Sequence, residues 1–134
     1  MQRQTFLRTL ISLAAVPFAR PALANASEVN ATTTLLHLQE SPIAGFQYHD
    51  GEAAWPDLHI GMPLQLRRES DNPHDPRAVE IWAGGHKLGY LPRLDNCAVS
   101  QLLDAGHRLH TQIVALRDSV YPWQRVRFRV YLAD

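Results

Sequence analysis

The segment Asn72-Pro73-His74-Asp75-Pro76 is where chemistry-bearing side chains crowd together in this chain. An amide, an imidazole and a carboxylate stand almost side by side, and the two prolines keep the backbone out of helix and sheet. The longer stretch Arg67–Arg93 is organised to hold this group. Glu69 to Pro76 reads as a charged turn, Ala78–Trp82 as a short alternating strand, Gly84-Gly85 as a turn, and Lys87–Leu91 as a second strand that Pro92 stops. A plain strand connection does not require Asn-Pro-His-Asp. Such a loop gives up apolar area and offers several groups able to bond a ligand, so function is expected here first. The same residues have a structural use as well, since Asn72 and Asp75 can hold the loop in shape through Asx-type bonds.

Other side chains must be weighed beside that loop. The chain has seven histidines. His49, His59, His74, Asp75 and His86 are of the right types for zinc, but no two histidines sit four apart on an expected helix and no cysteine cluster exists. His107 and His110 fall at the beginning of an expected strand, pointing to opposite faces. No serine occupies a nucleophile-elbow setting, Cys97 has no histidine partner in sequence, and no glycine-rich phosphate loop is present. These absences favour a binding module over an enzyme, with a zinc-dependent hydrolase acting on acid anhydrides kept as a distant alternative.

The elements that must position the loop follow from periodicity. Thr33–Leu38 reads as one strand, and Pro42–Tyr48 as a second, interrupted at Gly45. His49-Asp50-Gly51-Glu52 is a turn signal, and Trp55 and Leu58 are anchors in the irregular stretch that follows. Leu64, Leu66 and Arg68 alternate on a strand leading into the loop. Beyond Pro92, Leu94, Ala98, Leu102 and Ala105 recur at helical spacing, with Cys97 a buried filler, Asp95 or Asn96 as cap and Gly106 as C′ residue. Leu109, Thr111, Ile113 and Ala115 share one face of the next strand. In the last strand Val126, Phe128, Val130 and Leu132 face one way and Arg125, Arg127, Arg129 and Tyr131 the other. The arginine row reads as the wet face of an edge strand, or as a phosphate track if it shares a groove with Arg67 and Arg68. About six short strands with one or two helices predict a mainly β fold, a small OB-like or SH3-like curved barrel.

Residues 1–24 read as a secretory signal peptide. Arg3 and Arg8 form its basic end, Thr9–Val16 its apolar core, and cleavage is expected after Ala24 or Ala26. The apolar run is shorter than the roughly 20 residues a membrane helix needs, so no stable transmembrane anchor is expected. Residues 25–35 form a flexible lead-in and residues 36–134 the domain, placed in the periplasm or secreted. The leader's three arginines taken from thirteen basic residues leave ten against thirteen acids, a net charge of −3. A mildly acidic body does not bind nucleic acid by bulk charge, because phosphate affinity scales with the cations brought to it. One cysteine excludes an internal disulfide.

Four blocks have a family character: Pro42-Ile43-Ala44-Gly45-Phe46-Gln47-Tyr48-His49-Asp50-Gly51, Leu64-Gln65-Leu66-Arg67-Arg68-Glu69, Asp71-Asn72-Pro73-His74-Asp75-Pro76-Arg77-Ala78-Val79, and Lys87-Leu88-Gly89-Tyr90-Leu91-Pro92-Arg93. In order and spacing they resemble the HIRAN domain, over about Leu36 to Leu132. The resemblance implies a compact barrel related to OB folds. The best-known members precede helicase-like ATPases of replication-fork repair, and there the domain holds the 3′ end of single-stranded DNA. By the same resemblance Tyr48 is the aromatic on which a base stacks, and His74 stands where DNA-binding members carry a second aromatic. Asp75 matches the aspartate that accepts the terminal 3′-hydroxyl hydrogen bond. Tyr90 and Arg93 fall at phosphate-contacting positions, and Gln47 replaces an arginine. Asn72 and Lys87, in the same blocks, complete the expected ligand-binding set. No cofactor is implied, with zinc at His49, His74, Asp75 and His86 as the alternative. The expected partner is single-stranded nucleic acid or another polyanion. The alternative is a periplasmic module that uses the groove for a protein or envelope component.

Overall fold

The computed structural model describes residues 34–133. The signal peptide and nearly all of the lead-in expected from sequence lie outside these residues. Six strands form one sheet: β1 Leu36–Pro42, β2 Pro63–Arg68, β3 Val79–Ala83, β4 His86–Tyr90, β5 Leu109–Leu116 and β6 Val126–Leu132. Two short helices, α1 Gly51–Ala54 and α2 Cys97–Asp104, lie between them. The order is β1-β6-β5-β2-β3-β4, and each neighbouring pair is antiparallel. This is the mainly β, strongly curled architecture expected from the alternating segments.

The ladder does not close into a complete barrel, but its two edges meet at one point. Ala44, just beyond β1, bridges Tyr90 on β4 through two backbone hydrogen bonds of 2.8 and 2.9 Å. Gly89 makes that approach possible. Its φ is 149°, and a Cβ there would overlap the carbonyl oxygen of Ala44.

Alternation decides what fills the interior. Val79 and Ile81 of β3, Leu88 of β4, Ile113 of β5, and Val126, Phe128 and Val130 of β6 are all buried against Ile43, Phe46, Leu91 and Val99. Each such side chain, fully buried, contributes roughly 1.5–3 kcal/mol relative to exposure. The outward residues of β6 are the arginines, as the strict period-two pattern requires.

Several expectations are corrected. Strand β1 ends at Pro42, and the segment read as a second strand to Tyr48 instead turns at Gly45 (φ 76°) into a 3₁₀ turn over Phe46–Tyr48. The left-handed bend drops Phe46 into the core, edge-on to Trp55 at 6.3 Å, and leaves Gln47 and Tyr48 outside. The following turn signal, from His49 to Glu52, runs into α1. In α2 the buried face is Val99, Ser100 and Leu103 rather than Leu94, Ala98, Leu102 and Ala105. Leu94 precedes the helix and is 98% exposed, and Cys97 is exposed rather than a core filler. Gly106 does end α2 as expected, since its N–H bonds Leu103 O and that of His107 bonds Leu102 O, a Schellman arrangement. Finally, β6 lies between β1 and β5, so its arginines stand on an interior strand, not an edge.

Candidate functional site

Three segments converge on one cleft of about 320 Å³. The Gly45 turn brings Tyr48 and His49, the polar loop brings Asn72, His74 and Asp75, and the end of β4 with its continuation brings Tyr90 and Arg93. Ala44, Ala78 and Leu91 supply apolar lining. Six of the eight residues expected to bind ligand therefore line the same space. Gln47 is exposed outside the lining, and Lys87 also lies outside it, with Nζ bonded to the hydroxyl of the cleft residue Tyr90.

The loop is shaped by its own side chains. Asn72 Oδ1 accepts from the His74 N–H at 2.8 Å and the Asp75 N–H at 3.0 Å, and Asn72 Nδ2 donates to Glu69 Oε1 at 2.8 Å. With all these bonds made, Asn72 acts as an Asx brace. The exit of the loop is clamped by Arg68. Its guanidinium donates to the carbonyls of Ala78 (2.8 Å) and Pro76 (3.1 Å) and to Asp104 of α2 (2.8 Å). On the outer side, Tyr90 donates its hydroxyl to Glu69 Oε1 at 2.5 Å and accepts from Lys87 Nζ at 2.9 Å, while Lys87 pairs with Glu80 at 3.1 Å. This chain of hydrogen bonds ties the loop to the β3–β4 hairpin.

Asp75 sits at the base of the loop, 8% exposed. Its Oδ1 accepts from the Arg77 N–H at 3.0 Å and its Oδ2 from Asn96 Nδ2 at 2.7 Å, with Arg93 Nε 4.0 Å from Oδ2. Tyr48 is the opposite case. It is 79% exposed, and its side chain has no ring contact or hydrogen bond among the described residues. Tyr48 therefore does not serve the core by burial.

Residues 36–133 match the HIRAN domain family. This chain belongs to the HIRAN domain family. A protein of known crystal structure from Lactobacillus plantarum is 30% identical, with a TM-score of 0.64 over 74% of this chain and 95% of that one. The HIRAN domain of human HLTF shares the fold at 15% identity, with a TM-score of 0.58 over 75% of this chain and 78% of that one. No curated protein matches the chain. HIRAN domains are a family of nucleic-acid-binding modules.

The electrostatics of this HIRAN domain favour the ionised forms of Asp75 and Glu69. Burial pushes Asp75 upward, but the Arg77 N–H, the Asn96 amide and the charges of Arg93 and Arg77 outweigh it and hold the carboxyl below its ordinary value. Glu69 is likewise lowered by the hydrogen bonds from Tyr90 and Asn72. Burial lowers His49, and the nearby Lys87 charge adds to that, so its imidazole stays neutral further into acid than usual. Its ring meets Tyr90 edge-on at 5.6 Å.

Elsewhere several arginines are already engaged. Arg127 and Arg129 both bond Glu40, and Arg125 pairs with Glu52 and stacks over Trp55 at 4.1 Å. Arg67 lies over Trp82 at 4.0 Å. Each arginine of the sheet's row thus has a local carboxylate partner, three arginines sharing two glutamates, and none of them lines the cleft. The zinc candidates fare no better. His49, His74 and Asp75 line one cleft, yet no set of three His, Cys, Asp or Glu groups with metal-binding placement occurs among the described residues. His86 instead approaches Asp50 at 3.7 Å, and both are exposed.

Two site residues escaped the sequence reading. Asn96 was expected only as a helix cap, and Glu69 only as part of a charged turn. Asn96 makes no cap hydrogen bond; it is fully buried with its amide on Asp75. Nothing local signals that contact, because the partners are 21 residues apart. Asn96 Oδ1 is left without a hydrogen-bond partner, which costs about 1–3 kcal/mol for a buried acceptor.

Proposed function

We propose that this HIRAN domain binds single-stranded nucleic acid by its end, holding a 3′-hydroxyl terminus in the Tyr48–Asp75–Arg93 cleft. The observation that carries the reading is the pairing of an exposed, unpartnered Tyr48 with a braced, ionised Asp75 on one cleft. A base stacks on Tyr48, with His74 beside it. Asp75 has two of its roughly four acceptor positions filled, which leaves room for a terminal hydroxyl. Arg93, whose side chain is 74% exposed, meets the adjoining phosphate. Tyr90 and Lys87 take a different part from the one the family resemblance implies. Their polar ends are engaged with Glu69 and Glu80, so they hold the loop, and Tyr90 meets a ligand through its ring.

Fluorescence anisotropy with short oligonucleotides ending in 3′-hydroxyl or 3′-phosphate tests the proposal. A clear preference for the hydroxyl end, abolished by Asp75→Ala, is expected. Equal weak binding to both, or none, would sink end capture and favour the periplasmic protein- or envelope-binding alternative. The export reading belongs to the same proposal. N-terminal sequencing of protein recovered from cells is expected to begin near Asn25 or Ser27, and an intact Met1 would remove it.

A further inference from the structure

The amide of Asn96 is placed unlike that of a helix-capping asparagine. At the start of a helix such a side chain ordinarily turns its oxygen to a free backbone N–H. Here the residue is fully buried at the N-cap of α2, makes no cap bond, and leaves Oδ1 without any donor. What it does instead is donate Nδ2 to Asp75 Oδ2 at 2.7 Å. The bond forgone on Oδ1 is set against the one made through Nδ2.

The geometry points to Asn96 as the positioning residue that sets the end specificity of the cleft; this rests on the end-capture reading. With the Arg77 N–H on Oδ1 and the Asn96 amide on Oδ2, the Asp75 carboxylate is held on both oxygens and cannot rotate freely. Its remaining lone pairs can only accept, so a hydroxyl end is received and a phosphate end, itself acceptor-only and anionic, is refused. The neutrality of the amide matters. A lysine or arginine in direct contact would orient the carboxylate but cancel the charge that refuses phosphate. Arg93, at 4.0 Å and largely exposed, stands too far out to do so fully. Asn96 thus orients without neutralising.

The test compares wild type, Asn96→Leu and Asn96→Ala for affinity to 3′-hydroxyl and 3′-phosphate oligonucleotides, with thermal unfolding run on the same samples. Leucine removes the donor and the orphaned acceptor together at similar volume, and alanine removes both with no added bulk. In the variant that folds, the hydroxyl preference is expected to fall by about tenfold or more, the worth of a hydrogen bond to a charged group, with affinity for the 3′-phosphate end retained. A merely structural role would lower both affinities together and leave their ratio standing, which overturns the inference. A retained preference at wild-type stability overturns it equally. If wild type shows no preference, end capture itself fails and takes the inference with it. If neither variant folds, Asn96 is a residue of the fold and the assignment is withdrawn.

Discussion

Replacing Gly89 by alanine is expected to open the seam that brings the two edges of the sheet together. Three costs arise at this position. The new Cβ would overlap the Ala44 carbonyl oxygen and meet Ile43 Cγ2 at 2.8 Å, so the segment after β1 must withdraw. Withdrawal breaks the two Ala44–Tyr90 hydrogen bonds, worth about 1 kcal/mol each. A non-glycine residue at φ 149° adds strain of about 1–3 kcal/mol. Alanine returns only about 0.4–1 kcal/mol by restricting the unfolded chain. The net loss is about 3 kcal/mol, which for a domain of this size lowers Tm by about 12–24 °C. Gly85→Ala serves as the control, because a Cβ there meets nothing within 4 Å, and it should stay within about 0.5 kcal/mol of wild type. The two variants are compared by thermal unfolding followed by circular dichroism. If Gly89→Ala melts with Gly85→Ala and wild type, the bridge does not hold the edges and the account of the cleft wall is wrong. A folded Gly89→Ala domain should also bind oligonucleotide more weakly, since Ala44 and Tyr90 both line the cleft.

Tyr48→Ala removes a side chain with nothing to lose in the fold, so Tm should stay put while oligonucleotide affinity falls by about 1–3 kcal/mol, roughly 5- to 150-fold. A fall in Tm, or an unchanged anisotropy titration, would refute the stacking role. Stability should decline on acidification. The lowered His49 favours its neutral form in the fold, so its contribution is present above the ordinary imidazole value of about 6.5 and is lost as pH falls through the lowered one. Asp75 and Glu69, also lowered, add their loss below the ordinary carboxylate values of about 4. A Tm that rises between pH 7 and pH 5 would contradict this. Because Arg93 is the one arginine or lysine lining the cleft, the salt dependence of binding should be shallow, with a logarithmic slope of about −0.7, the value for one neutralised phosphate on a single strand. Arg93→Gln should flatten it further.

The fold was read most accurately where one face is buried and the other wet. Val126, Phe128 and Val130 declare their side of β6 by alternation alone, and Val79 and Ile81 do the same in β3. Reading failed where a single glycine changes direction. Pro42–Tyr48 has strand composition, yet the left-handed Gly45 turns it into the 3₁₀ corner that delivers Tyr48 to the cleft. The helix face was misphased for a related reason. Leu94 fits the spacing, but α2 begins only at Cys97, and the residues it buries are Val99 and Ser100. Six cleft residues were recognisable because they belong to family blocks, whereas the Asn96–Asp75 contact and the Glu69–Tyr90–Lys87 chain depend on tertiary pairing that no local pattern displays.

The distribution of charge explains why such a domain would recognise an end and not a strand. A binder that tracks a backbone needs a row of unpaired cations, and this sheet has the row but not the freedom. Glu40 holds Arg127 and Arg129, Glu52 holds Arg125, and Arg68 is committed to the loop carbonyls and Asp104. Phosphate would have to displace these partners, and its gain would be offset by the carboxylates left behind. At the cleft the balance differs: one aromatic face is open, one carboxylate is fixed and ionised, and one arginine is mostly in solvent. Stacking tolerates any base, so sequence is not read. On the proposed reading, the fixed acceptor would read only whether a hydroxyl is present. Affinity drawn from one stacked base and one phosphate would be modest, and an interior nucleotide, lacking the free hydroxyl, would forfeit the contact with Asp75. Selectivity for termini would then follow from having few contacts, each of them directional.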